Sequence, residues 1–231
     1  MKTKILFEDQ ALFVIHKPAG IAVQSARIGQ MDVESELRNY LAATAGKSGG
    51  SPYIGLIHRL DQPVEGLLVV AKTKDAAAKL NKQLTEGSLN KKYLAVVSLE
   101  RDSIENNAVF TDYMIKDGQV AGIVKEASSE TAKKACLQYS FLKKIDNTAL
   151  ADIEIETGRF HQIRCQMAYH GMPLLGDAKY GSNTSASISQ KMGIRNVALC
   201  ANRIAFKHPG AGKMMEFEVL PGNSAFAPFY Q

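Results

Sequence analysis

A histidine, an arginine and a carboxylate stand together at His58-Arg59-Leu60-Asp61, just before the apolar run Gly66-Leu67-Leu68-Val69-Val70-Ala71-Lys72. Leu67 to Ala71 reads as a buried strand, being short, apolar and bounded by Gly66 and Lys72. Pro63 and Gly66 break the chain ahead of it. Asp61 is therefore expected on a loop held by a rigid strand, where catalytic groups often lie. A carboxylate so placed has two uses. It caps a turn with Arg59 as its ion-pair partner, or it acts as nucleophile or cation stabiliser, as in enzymes that cleave glycosidic bonds.

A second group of polar side chains lies in Thr157-Gly158-Arg159-Phe160-His161-Gln162-Ile163-Arg164, and a tyrosine sits in Lys91-Lys92-Tyr93-Leu94-Ala95-Val96-Val97. The elements that must position them follow from periodicity. Ile5 to Phe7 and Leu12 to Ile15 read as strands, and Lys17-Pro18-Ala19-Gly20 as a turn. Val33, Leu37, Tyr40 and Leu41 have helical spacing, with Asp32 at the start. Residues 46–52 read as a loop. Asp75 to Glu86 reads as a helix with Asp75 as N-cap, Leu80 and Leu84 on one face and Gly87 as the stop. Tyr93 to Val97 is a strand. Ala149 to Thr157 alternates, with Ala151, Ile153 and Ile155 on one face and Asp152, Glu154 and Glu156 on the other. Phe160 to Tyr169 reads as a short helix, Ser182 to Gln190 as a serine-rich loop, and Val197 to Phe206 and Met214 to Leu220 as closing strands. Mixed strands with a few helices, without regular alternation, point to an α+β fold.

Five ordered stretches together resemble the RluA-type pseudouridine synthases. They are Lys17-Pro18-Ala19-Gly20, the His58 to Lys72 segment, Lys91 to Val97, Thr157 to Arg164 with Gly171, Pro173, Gly176-Asp177 and Tyr180-Gly181 behind it, and Ala201 to Pro209. The resemblance implies one catalytic domain over residues 1–231, with a central mixed, mostly antiparallel sheet and helices flanking an active-site cleft. Longer members of that family carry an N-terminal S4-type RNA-binding domain. Here the first strand is reached by Ile5, so RNA recognition is expected in the catalytic domain itself.

The implied reaction breaks the uridine N1–C1′ bond, turns the base and rejoins it through C5, which needs neither cofactor nor metal. By resemblance Asp61 is the catalytic carboxylate, Arg164 its basic partner and Tyr93 the active-site tyrosine, whose ring stacks on uracil and whose phenol helps remove a proton. Arg59 matches a residue that holds the flipped-out base. Ile163 is expected to pack under the base. Arg159 and His161 either contact phosphate or brace their loop, and His58 is expected to buttress the Asp61 loop. Lys17, Lys72, Lys91 and Lys92 could line an RNA path. Gly66 and Gly158 are expected to be needed for backbone geometry. The family's usual Thr-Ser before the glycine is Val64-Glu65 here. Glu65 is therefore expected to turn away from RNA or to pair with a base such as Lys72.

Composition bounds the alternatives. The chain has 231 residues, 45% hydrophobic and 22% charged, in the ordinary range for a globular protein. No apolar run reaches the length of a membrane span, and Glu8-Asp9 interrupts any signal-peptide core. Cys136, Cys165 and Cys200 are odd in number and widely spaced, so the reading is reduced thiols in the cytoplasm with no zinc site. A net charge of +5 permits an RNA partner, ribosomal or transfer, without demanding one. We expect a monomer. Two other functions compete with the synthase. A non-catalytic RNA-binding or ribosome-assembly factor would keep the fold without needing Asp61, Tyr93 and Arg164 together. A glycosidase would require a second carboxylate facing the same bond.

Overall fold

The computed structural model describes residues 1–25, 29–44, 52–101, 103–125 and 131–230. In chain order come β1 (Lys4–Glu8), β2 (Leu12–Lys17), α1 (Val33–Thr44), β3 (Gly55–Leu56), β4 (Glu65–Ala71) and α2 (Lys74–Thr85). There follow β5 (Asn90–Ser98), β6 (Asn107–Asp117), β7 (Val120–Val124), β8 (Lys133–Ile145) and β9 (Thr148–Ile155). The chain ends with α3 (Gln162–Tyr169), α4 (Asn183–Lys191), β10 (Leu199–Lys207), β11 (Met214–Glu218) and a 3-10 helix (Ser224–Tyr230). Two compact units result, one of residues 1–91 and 201–220, the other of residues 92–200 and 221–231.

In the first unit β2 pairs antiparallel with β1 and with β4, whose seven residues are all buried. The alternation of β2 sends its neighbours to opposite faces. Leu12 and Val14 join Leu67, Val69 and Ala71 of β4 in a core closed by Ala76, Ala77 and Leu80 of α2. Phe13 points the other way and meets Tyr40 of α1 edge-on, with ring centroids 6.1 Å apart. The expected start of α1 holds, since an Asp32 carboxylate oxygen accepts from the Ser35 N–H at 2.7 Å. The start of α2 is corrected. Thr73, extended at φ −137° and ψ 154°, is the cap, its hydroxyl accepting from the Ala76 N–H. Asp75 lies two residues further on, in the first turn, and pairs with Lys79. Of the expected loop at residues 46–52, only Pro52 lies among the described residues.

The second unit is built on antiparallel strands in the order β5-β9-β8-β6-β7. Met114 of β6, Ala121 of β7 and Ala135 of β8 pack against Cys165 of α3. The expected helix at Phe160 begins two residues later, at Gln162. The serine-rich stretch expected as a loop is α4. Ser182 and Ser185 exchange side-chain and backbone hydrogen bonds as a capping box, which turns a polar run into a helix start.

Candidate active site

Asp61 lies in the loop between β3 and β4, which closes on itself through the Val64 N–H to the Asp61 carbonyl at 3.1 Å. A second turn clamps it. The Gly20 N–H donates to the Gln62 carbonyl at 2.8 Å, and the Gln62 amide returns a bond to the Gly20 carbonyl at 3.1 Å. Gly20 stands at φ +90°, a conformation that favours glycine. Beneath both turns is Lys17, fully buried, with its ammonium on the carbonyls of Pro18, Ile21 and Gln62 at 3.1, 2.8 and 3.2 Å. Burial pulls its pKa down to about 8, opposed by the nearby Asp61 and Glu65 carboxylates. Lys17 thus belongs to the support of the Asp61 loop, not to a surface path for RNA.

The other residues of this segment have separate duties. His58 accepts a hydrogen bond from the Val69 N–H through Nε2 at 3.3 Å, tying the loop to β4. Burial, aided by the charge of Lys91, lowers its pKa to about 3, so the ring is neutral at neutral pH. Arg59 is exposed and makes no ion pair with any described residue. Glu65 is buried and faces His16 at 3.9 Å. It does not pair with Lys72, whose ammonium bonds Glu8 at 2.7 Å instead. Gly66 has φ +134°, and a Cβ there would stand 2.4 Å from the Ala201 backbone nitrogen, so both torsion and space demand glycine. Gly158 differs from the expectation: a Cβ there meets open space.

In the second unit Tyr93 of β5 is buried and paired with Ile153 of β9. Lys92, beside it, pairs with Glu154, so its charge is met by protein. Arg159, His161, Ile163 and Arg164 are gathered at the start of α3 and the loop before it. Arg164 is buried and gripped by Asp177, Nε to Oδ2 and Nη2 to Oδ1, both at 2.7 Å. Burial alone would raise the Asp177 pKa, but Arg164 and the N–H groups of Lys179 and Tyr180 outweigh it and lower it. The guanidinium carbon also lies 5.1 Å from the Tyr180 ring centroid. His161 caps α3 in the left-handed conformation, φ 54° and ψ 28°, a strained setting for a residue other than glycine. Its Nδ1 is 2.8 Å from the Tyr180 hydroxyl, which accepts from the Ala121 N–H at 2.7 Å. Arg159 donates through Nε to the Lys134 carbonyl at 2.8 Å. Ile163 is buried.

A family model described as RNA pseudouridylate synthase matches residues 11–169. The chain belongs to the RNA pseudouridylate synthase family. It is thereby placed among RNA pseudouridine synthases, which are isomerases. A ribosomal large subunit pseudouridine synthase D from Zymomonas mobilis is 32% identical over 93% of this chain. A protein of the same description from Nitrosomonas europaea is 34% identical over 96% of it. The chain spans 68% and 63% of the length of these two relatives. The solved structure of human RNA pseudouridylate synthase domain containing 4 matches with a TM-score of 0.78 at 23% identity, covering 98% of this chain and 93% of that one. That likeness shows the shared α+β fold.

Two supports of the family's motifs escaped sequence reasoning. Gln162 accepts from the Thr157 hydroxyl and the Arg159 N–H through Oε1 and donates to the Cys136 carbonyl through Nε2, fixing the loop that delivers α3. Gln162 is the first residue of α3 and reaches back to the Arg159 N–H in the loop before it, a contact that helix periodicity does not mark. Asp177 stood in a motif, but its pairing with Arg164 carried no local signal. It lies thirteen residues from Arg164, and only the fold brings them together. No helix is long and apolar enough to cross a membrane, and no cluster able to hold a metal ion occurs among the described residues.

Proposed function

We propose that the chain converts uridine to pseudouridine in ribosomal RNA, with Asp61 as the catalytic carboxylate. The N1–C1′ bond breaks, a C5–C1′ bond forms, and the proton lost from C5 is balanced by one gained at N1. The observation that carries the reading is the Asp61 loop. A short turn is clamped by a second turn, a buried ammonium and a neutral histidine. Such support is what a carboxylate needs if it is to meet a reacting carbon in a fixed direction. Tyr93 and Arg164 are assigned to the same reaction on the strength of the motifs that carry them. Exposed Arg59 is assigned to RNA, which suits a long cation that makes no ion pair with a carboxylate among the described residues. The descriptions of the relatives support ribosomal RNA as the substrate class, and with it a cytoplasmic location.

The test is a pseudouridine map of unmodified ribosomal and transfer RNA after incubation with wild type and with Asp61→Asn, read by carbodiimide-dependent reverse-transcription stops. New stops are expected with the wild type only, in ribosomal RNA, while Asp61→Asn folds and binds RNA. Turnover by pure Asp61→Asn would remove Asp61 from the chemistry. Binding without turnover by the wild type on both RNAs would turn the reading toward a ribosome-assembly factor.

A further inference from the structure

Phe160 lies within the Thr157 to Arg164 motif, an apolar side chain among its polar ones. It is 38% exposed, an unusual setting for a phenylalanine in an ordered segment. It is nevertheless held still. Its ring stacks on His161 with centroids 3.7 Å apart and 22° between planes. His161 is fixed in turn by the Tyr180 hydroxyl and meets that ring edge-on at 5.6 Å. A partly exposed aromatic ring on a rigid mount loses little entropy when a flat ligand stacks on it.

Charge around the ring identifies that ligand. His161 fills one face of the ring, and the exposed Lys116 ammonium lies over the ring, 4.9 Å from the Phe160 centroid, so a base stacking there displaces the flexible lysine toward the base's own phosphate. Lys116 pairs with Ala121 and Met114 with Lys133, so both lysines lie on the sheet face that carries α3, and both are exposed. Arg159, next in sequence to Phe160, is exposed as well. The acids nearby are largely engaged: Asp112 by Gln166 and His170, Asp177 by Arg164. Asp117 alternates to the other face of β6, which leaves Glu156 as the nearby exposed acid among the described residues. A flat apolar face ringed by excess positive charge suits an unpaired nucleotide, stacked through its base and held through its phosphates.

We propose that Phe160 is a stacking platform for an unpaired base of the RNA other than the reacting uridine, with Lys116 and Arg159 serving the adjoining phosphates. The proposal rests on RNA being the partner, and its test separates the two. A fluorescein-labelled single-stranded uridine oligonucleotide of about 12 nucleotides is titrated with the full chain and followed by anisotropy. Phe160→Leu keeps an apolar side chain and loses the π face. It is expected to weaken binding roughly ten-fold. Phe160→Tyr is expected to restore it. Leu142→Ala, at an exposed position on β8, is the control and should bind as wild type. Lys116→Gln is expected to lower the salt slope by about 0.7. Wild-type affinity in a Phe160→Leu protein that melts like wild type overturns the platform, whatever the catalytic activity. A wild type that modifies no RNA would defeat the catalytic reading, yet a loss of affinity in Phe160→Leu alone would still support the platform.

Discussion

Lys17 and His58 show how single residues make a loop rigid at an electrostatic cost. A buried ammonium persists only if its hydrogen bonds are met, and three carbonyls meet those of Lys17. A buried imidazole takes the other course and stays neutral, accepting from β4. That choice makes stability depend on pH. As pH falls below 6.5 the unfolded chain protonates His58, whereas the folded chain resists protonation until about 3. The unfolded state therefore binds more protons across that window, and stability falls as pH falls. His16, lowered by burial, acts in the same sense. The lowered carboxylates Asp9, Asp32, Glu36 and Asp177 enter only below their ordinary values of 3.8 to 4.5. Urea midpoints between about pH 7 and pH 5 should decline for wild type and decline less for His58→Gln. Equal declines would mean that His58 is not buried neutral.

At the scale of elements, the entry into β4 is tightly packed. Gly66 faces the Ala201 backbone at a distance that admits no side chain, and its φ of +134° is closed to other residues. Gly66→Ala is expected to cost about 3 kcal/mol or more, through clash and torsion together, measured by urea denaturation. Gly158→Ala, with open space at its Cβ, should stay within about 0.5 kcal/mol of wild type. The sequence marked both glycines alike, because a motif shows where glycine stands but not which atoms surround it. Helix starts were legible to within two residues where an apolar stripe was present, as at Val33. They were missed at α4, where a serine cap and not hydrophobic periodicity makes the helix. Strands β6 to β8 gave little warning. Their outer positions carry polar and charged side chains in a pairing that only the completed sheet defines.

For the whole molecule, the net charge of +5 becomes a prediction once RNA is the partner. Raising salt from about 50 to about 200 mM should weaken single-stranded RNA binding by roughly 10–100-fold, as a handful of phosphate contacts requires. A salt-independent affinity in a competition titration would argue that phosphates are not what the basic surface holds.

The sequence by itself determined the family, the α+β class and the segments that hold the family's motifs, because ordered motifs and periodicity are local properties of the chain. Tertiary structure decided what each polar side chain meets. Lys17 went inside, Glu65 turned to His16 and Lys72 to Glu8. Arg164 found Asp177, and Phe160 was left facing water on a fixed mount. The physical reason is that charge and stacking energies depend on distance and burial, and those are fixed only when segments remote in sequence pack together.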